Sequence, residues 1–544
     1  MLSIQTDASR KRWTLVACIM GSGIVLLDGT VVNVALPTIQ RALGGGLAAQ
    51  QWVVNGYLLT LGSLILIGGS LGDLFGERRV FAIGVSGFGA ASLICALAPS
   101  IGVLVAARAL QGVAGALLVP SSLAVIVNTF PESERGAAIG SWTAWGAIAG
   151  VLGPLAGGEL LALGSWRLIF LMNIPLVVAC VALILVAIPV SAPRDEDPAR
   201  PARRVDYTGA ILCALGLGGP VFALIEQPRL GWSSPAVIVP LIAGVALLAL
   251  FLLYESRAEG PMLALGLFRR RNFSAGNVET FAMYAGLAIL FFFLILFLQQ
   301  IGGYTPLKSG LATLPVTIVM FVLSRRFGAF ADKYGPRFFM GAGPLLAAAG
   351  LLLFQRVGVK ADYVSEVLPP LLVFSLGLAM TVAPLTAAVL AGSEHQAGIA
   401  SGVNNAIARV AGLLGTASVG AVIAASFAAS MNGRLQDTPL GGAAQAAVRA
   451  AKRLPLGQPD VHGVPAAQAH AVTLAAQQAS LHSFHLGMMI AAALVALGGV
   501  VGVAGIRNPQ VDVHAAECAG GQLVGVSSPA EASEVEPASA GAAA

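Results

Sequence analysis

Gly69-Ser70-Leu71-Gly72-Asp73-Leu74-Phe75-Gly76-Glu77-Arg78 returns later in the chain as Gly328-Ala329-Phe330-Ala331-Asp332-Lys333-Tyr334-Gly335-Pro336-Arg337. Gly, Asp, Gly and Arg keep the same offsets in both copies, and each copy sits between two long apolar runs. A duplicated block of apolar segments predicts a pseudo-symmetric helical bundle with a site between its halves, the logic of a transporter.

Around the repeat, the apolar runs number fourteen: 13–36, 51–71, 80–98, 101–127, 137–162, 168–190, 207–226, 235–255, 273–298, 307–326, 338–357, 365–391, 399–427 and 483–506. Each is near the roughly 20 residues that a membrane-spanning helix needs. Composition agrees. Hydrophobic residues make up 57% and charged residues 10% of the 544, against roughly 25% charged in soluble proteins. Mean hydropathy is +0.83. A soluble chain could not cover so much apolar surface, which excludes a soluble enzyme, a disulfide scaffold, a coiled coil and a disordered protein. The expected fold is an all-α integral membrane protein. Residues 1–190 form one six-helix bundle and 273–507 the other, with the linker 191–272 supplying two extra spans. Loop 428–482 has no aromatic residue and little to bury, apart from a short helix over Gly441–Arg453. The acidic tail 508–544 reads as disordered.

The net charge of +5 is an orientation signal here rather than a sign of nucleic acid. With both termini in the cytoplasm, 19 Lys and Arg fall in cytoplasmic segments and 6 in the short external loops. Both termini are therefore expected in the cytoplasm, with the chain multi-pass in a bacterial cytoplasmic membrane. The first run is too long for a cleavable signal and carries Asp28, so a retained span is expected. Of the five cysteines, none forms a C-x-x-C, and no lysine follows a glycine as a Walker A loop requires. No metal, cofactor or direct ATP coupling is expected. His482 and His485 are read as interfacial polar residues.

Few residues in the spans carry charge. A carboxylate at bilayer depth costs about 2.5–3.5 kcal/mol on insertion scales, so Asp28 must face a wet cavity or a partner, where a carboxyl can take and release a proton. Arg108, in Arg108-Ala-Leu-Gln111-Gly112-Val-Ala-Gly115, cannot shed its proton and needs a cavity or oxygen acceptors. Glu279 is the other acid well inside a span. Gly146, Gly150, Gly153 and Gly157 are spaced 4, 3, 4. They form a side-chain-free spine that a second helix can approach, with Pro154 adding a kink.

These ordered motifs resemble the major facilitator superfamily, and within it the fourteen-helix drug:proton antiporter subfamily. Gly69–Arg79 resembles the family's loop motif, Arg108–Gly115 its fourth-helix motif, Gly146–Gly158 its antiporter motif and Leu27–Pro37 the fourteen-helix signature. Trp52–Tyr57 and Trp166–Pro175 are typical too. The resemblance implies proton coupling by Asp28 and Arg108, joined by Glu279. It implies a cytoplasmic latch of Gly69, Asp73, Gly76, Arg78 and Arg79, with Asp332 and Arg337 as a second copy. It implies an exporter whose antiporter motif is Gly146, Gly150, Gly153, Pro154, Gly157 and Gly158. The expected substrate cavity includes Asn33, Trp52, Asn55, Tyr57, Gln111, Phe281, Tyr284 and Phe292. The expected partners are small-molecule substrates, protons and the lipid bilayer, with the proton gradient in place of a cofactor. Substrates are expected to be amphipathic, lipophilic or monocationic. A dedicated exporter of one metabolite, or an importer, is the alternative within transport. A membrane enzyme or receptor is the alternative outside it, and no cluster of nucleophile, base or metal ligands favours that.

Overall fold

The structure, a computed structural model, describes residues 7–189, 205–258, 261–390 and 397–508. At Asp73, Glu132, Ser133, Ala147, Val151, Leu390 and Ala397 it describes the backbone alone. Most of the linker 191–206 and all but the first residue of the expected disordered tail lie outside the described residues.

Among the described residues, fourteen helices are long and apolar enough to cross a membrane. The first six are α1 Asp7–Leu43, α2 Leu47–Phe75, α3 Glu77–Leu97, α4 Ile101–Thr129, α5 Glu132–Ala162 and α6 Leu168–Ala187, the last broken by a turn at Met172. Two more, α7 Tyr207–Leu230 and α8 Pro235–Glu255, pack on each other. The second bundle follows as α9 Arg271–Gln300, α10 Pro306–Tyr334, α11 Pro336–Leu353, α12 Leu368–Leu390, α13 Ala397–Leu435 and, after the short α14 Gly442–Ala451, α15 Ala466–Gly505. An even number of spans puts both termini on one face, called here the terminal face; the opposite one is the far face.

The sequence repeat marks one turn made twice. Gly76 ends α2 with φ +88°, and Gly335 ends α10 with φ +84°, a left-handed backbone that favours glycine. Arg78 then donates to the Leu185 carbonyl at 2.9 Å and Arg337 to the Val503 carbonyl at 2.8 Å. Each arginine thus meets a last-turn carbonyl of the sixth helix of its own bundle, where unpaired acceptors collect.

The loop 428–482 departs from expectation. α13 continues to Leu435 and α15 begins at Ala466, well beyond the most apolar runs. Phe427, Met431, Leu435, Ala444, Val448, Ala451, Val472, Ala475, Ala476 and Ala479 pack into a buried cluster. Absence of aromatics did not mean absence of a core: alanine faces meet closely enough to exclude water. The short helix stands where it was expected.

Small residues set the helix spacing. A Cβ at Gly112 of α4 would run into the Thr60 hydroxyl and the Tyr57 carbonyl of α2. Without a hydrophobic drive between helices in lipid, such close approach supplies much of the packing. Gly150 of α5, by contrast, has nothing within 4 Å of the place a methyl group would take. Gly112→Ala is therefore expected to lower stability by about 1–3 kcal/mol, while Gly150→Ala leaves it unchanged. Thermal unfolding of the two detergent-solubilised variants checks the contrast.

Candidate functional site

Asp28 lies in the middle of α1, and five helices of the first bundle supply its surroundings. Its carboxylate accepts from the Arg108 guanidinium of α4, from Gln111 Nε2 at 3.3 Å and from Asn173 Nδ2 of α6 at 3.0 Å. Arg108 also donates to Gln111 Oε1 at 2.8 Å and to the Val53 carbonyl of α2 at 3.1 Å. Ser92 Oγ of α3 accepts from Gln111 at 2.8 Å and Asn173 at 3.3 Å, and the Cys95 thiol reaches Gln111 Oε1 at 3.3 Å. The guanidinium carbon stands 4.3 Å from the Tyr57 ring centroid and 5.9 Å from that of Phe170. Every polar member of this network is buried. Arg108 and Gln111 are one turn apart, so one helix face presents both the cation and the amide that orients it. A buried pair of opposite charges is tolerated only with such additional hydrogen bonds. Chemically, the arrangement can hold a carboxylate charged and release it when the arginine moves away.

Glu279 sits elsewhere. It is fully buried where α9 meets α15, beside Gly498 and Gly502, and neither carboxyl oxygen has a hydrogen-bond partner. The structure therefore does not bring it to the Asp28 network.

The glycine spine of α5 faces its own half. Methyl positions at Gly146, Gly153 and Gly157 would meet Leu26, Thr30 and Val31 of α1. The contacts to the other half are made by Pro154, whose carbonyl lies against Gly310 of α10, and by Gly158, which lies against Leu307. These occur toward the far face. There, Gln51 also donates to the Thr416 carbonyl at 2.6 Å, Thr416 to Asn55 Oδ1 at 3.0 Å and Gln299 to the Val34 carbonyl at 2.9 Å. The Leu47 amide donates to the Arg453 carbonyl at 3.2 Å, so the segment after α14 closes onto the start of α2.

The described bonds of the loop-motif arginines stay within each half. Arg78 and Arg337 bond within their bundles, Arg79 is exposed, and Asp332 is half-buried in the last turn of α10. Gly69 lies near Pro120 of α4. The Asp73 side chain lies outside the described residues.

Of the expected cavity residues, Tyr57 and Gln111 belong to the Asp28 network. Asn55 joins α2 to α13, and its Nδ2 has no partner, like Asn33 Oδ1. Trp52 turns outward to the extra pair: its Nε1 donates to Glu226 at 3.0 Å and its ring lies 5.9 Å from Phe222 of α7. Phe292 is packed edge-on against Phe293 in the core, at 4.9 Å. Phe281 and Tyr284 are half-buried. His485 bonds the Val357 carbonyl at 2.9 Å. Sequence reading missed Ser92, Cys95 and Asn173 as site residues. A polar side chain inside an apolar run was the available signal, and it does not say which face the residue occupies.

Residues 18–416 match the family model described as Major Facilitator Superfamily. Over 425 residues the chain is 38% identical to the puromycin resistance protein pur8 of Streptomyces alboniger, covering 77% of this chain and 83% of that protein. It is 35% identical over 427 residues to the multidrug resistance protein Stp of Mycobacterium tuberculosis, covering 78% of each. In fold it resembles a bacterial homologue of the human lysosomal transporter Spinster, solved inward-facing and unoccupied. That likeness has a TM-score of 0.61 and 15% identity, over 92% of this chain and 99% of the other.

Removing one partner of a buried pair leaves the other charge unpaired, at a typical cost of about 3–5 kcal/mol. Asp28→Asn is expected to lower stability by that order, and the double variant Asp28→Asn with Arg108→Gln to recover part of it. A double-variant cycle of thermal unfolding in detergent measures this coupling; additive effects would show that the two do not interact.

Proposed function

The chain belongs to the major facilitator superfamily, and on that premise we propose that it is a proton-coupled exporter of amphipathic or lipophilic drugs. It works by alternating access between its two six-helix halves. The relatives are resistance proteins, one named for many drugs and one for a single antibiotic. The second of these favours the other reading, a dedicated exporter of one antibiotic.

The observation that carries proton coupling is the Asp28 network. In the conformation described, Arg108, Gln111 and Asn173 all donate to the carboxylate. Loss of the arginine contact on a change of conformation would leave a buried charge unpaired, and taking up a proton removes that cost. Return of the arginine would expel the proton. Glu279, buried without partners, is the second group proposed to carry a proton.

The terminal face is proposed to be the cytoplasmic face of a bacterial cytoplasmic membrane, because basic residues concentrate there. The contacts between α5 and α10, and between the α14 segment and α2, would then seal the external side. In the alternate state Asp73, Arg78 and Arg79, with Asp332 and Arg337, would form the cytoplasmic latch. The glycines of α5 serve this cycle by seating α1, which carries Asp28, while Pro154 and Gly158 meet the opposite half.

Each proton that crosses 100 mV supplies about 2.3 kcal/mol, so loss of the carrier removes the drive and not the path. In proteoliposomes, Asp28→Asn is expected to abolish proton-driven substrate accumulation yet retain substrate counterflow. Accumulation at the wild-type rate would overturn the role given to Asp28.

A further inference from the structure

Asp28, Arg108, Glu279 and Arg409 place formal charge deep inside the described spans and away from full exposure. Asp28 and Arg108 neutralise each other. Glu279 is enclosed against Gly498 and Gly502 and makes no ion pair. Arg409 makes no hydrogen bond or ion pair with any described residue, although it lies ten residues inside the span Ile399–Leu435. A guanidinium carries its charge under all ordinary conditions and has five donors to satisfy. Leaving them unmet in a span is costly.

Its surroundings place its stem against α2. Gly402, Arg409 and Thr416 fall on one stripe of α13, seven residues apart. Gly402 meets Leu66 of α2, and Thr416 meets Asn55 of α2. Between them the Arg409 stem lies against Gly62 of α2, a position with no side chain to displace it. Arg409 is therefore set in the seam between the halves. It is half-buried, and one turn on, Gly412 of α13 packs against Ala288 of α9, which brings the half-buried Tyr284 of α9 to the same seam. Asn55 Nδ2 in the same seam is a second donor without an acceptor. The seam thus offers a fixed cation, an unpaired amide donor and the ring of Tyr284, and no described carboxylate pairs with the cation.

We propose that Arg409 is the substrate-binding cation of this transporter and that it selects amphipathic aromatic compounds bearing an acidic group, a carboxylate or an ionised phenol. The inference rests on the exporter reading and deepens it, narrowing a general drug site to anionic substrates. The planar guanidinium matches a carboxylate in two parallel hydrogen bonds, and the low dielectric of the membrane interior strengthens the attraction. The same charge repels a cationic ligand, so selectivity arises from attraction and repulsion together. The half-buried ring of Tyr284 would lie against the aromatic body of the ligand.

Two xanthene dyes of similar shape and opposite charge test this: fluorescein in mildly alkaline buffer, as the anion, and pyronin Y, as the cation. Binding to the purified full-length protein is read by fluorescence anisotropy, independently of transport. Wild type is expected to bind fluorescein more tightly than pyronin Y. Arg409→Gln is expected to weaken fluorescein about ten- to a hundredfold, the worth of a hydrogen-bonded charge contact, and to leave pyronin Y at least as tight. Arg409→Lys, which keeps the charge and loses the fork, is expected to fall between. Tighter wild-type binding of pyronin Y, no wild-type binding of fluorescein, or equal fluorescein affinity in wild type and a folded Arg409→Gln would overturn the proposal. If Arg409→Gln does not reach the membrane, the wild-type preference between the dyes decides. Proton-driven fluorescein flux is measured in parallel. Arg409-dependent binding without such flux would leave the anion site standing and remove the exporter reading.

Discussion

The contact between Asp28 and Arg108 constrains the whole first bundle. Neither charge is tolerable in the membrane interior alone, and the pair needs further donors and acceptors to be tolerable together. α1 supplies the carboxylate and α4 the guanidinium, α2 a carbonyl and a ring, α3 a hydroxyl and a thiol, and α6 an amide. The five helices are thereby held in one register around a polar centre. α5 stays outside the network, and its glycines let it lie close along α1. A shift of α1 would therefore move both the carboxylate and the surface on which α5 rests, and under the proposed proton coupling it would link protonation to the position of Pro154 and Gly158 at the seam.

The fold was legible because the patterns that determine it are local. Twenty-residue apolar runs and a repeated Gly–Asp–Gly–Arg turn announce spans and duplication before any packing is known. Within the site, Asp28, Arg108 and Gln111 were also legible, since charge in an apolar run has few tolerable explanations. Ser92 and Asn173 were not, because a hydroxyl or an amide inside a helix can satisfy itself on its own backbone, as Ser22 and Asn277 do. The spine of α5 shows a different limit. Spacing reveals that four glycines share a face, but not whether α1 or α10 covers it. The cluster between α13, α14 and α15 shows a third. Alanine is a weak apolar signal singly, and its contribution emerges only when three helix faces meet.

Pseudo-symmetry also separates what the duplication preserved from what it did not. The turns at Gly76 and Gly335 and the arginines that follow are used alike in both halves, each arginine meeting a carbonyl of its own sixth helix. The polar centre is not repeated. In the second half the buried acid Glu279 has no guanidinium beside it, and the buried amides Asn277 and Asn404 bond each other instead. The scaffold is symmetric and the electrostatics are not.

That asymmetry bears on how firmly the far face is shut. The halves are joined there by Gln51 to Thr416, Thr416 to Asn55, Gln299 to Val34 and Leu47 to Arg453. Each is a neutral hydrogen bond, worth about 0.5–1.5 kcal/mol net. Together with the contacts of Pro154 and Gly158 they amount to a few kcal/mol. Reversing a two-state balance from 1:99 to 99:1 takes about 5.5 kcal/mol, and two protons crossing 100 mV supply roughly 4.6 kcal/mol. A seal made of charged pairs would resist that drive, and a seal of apolar contact alone would have no register. Neutral hydrogen bonds such as these would, on the proposed mechanism, give a closure specific enough to exclude leakage and weak enough for a proton gradient to open.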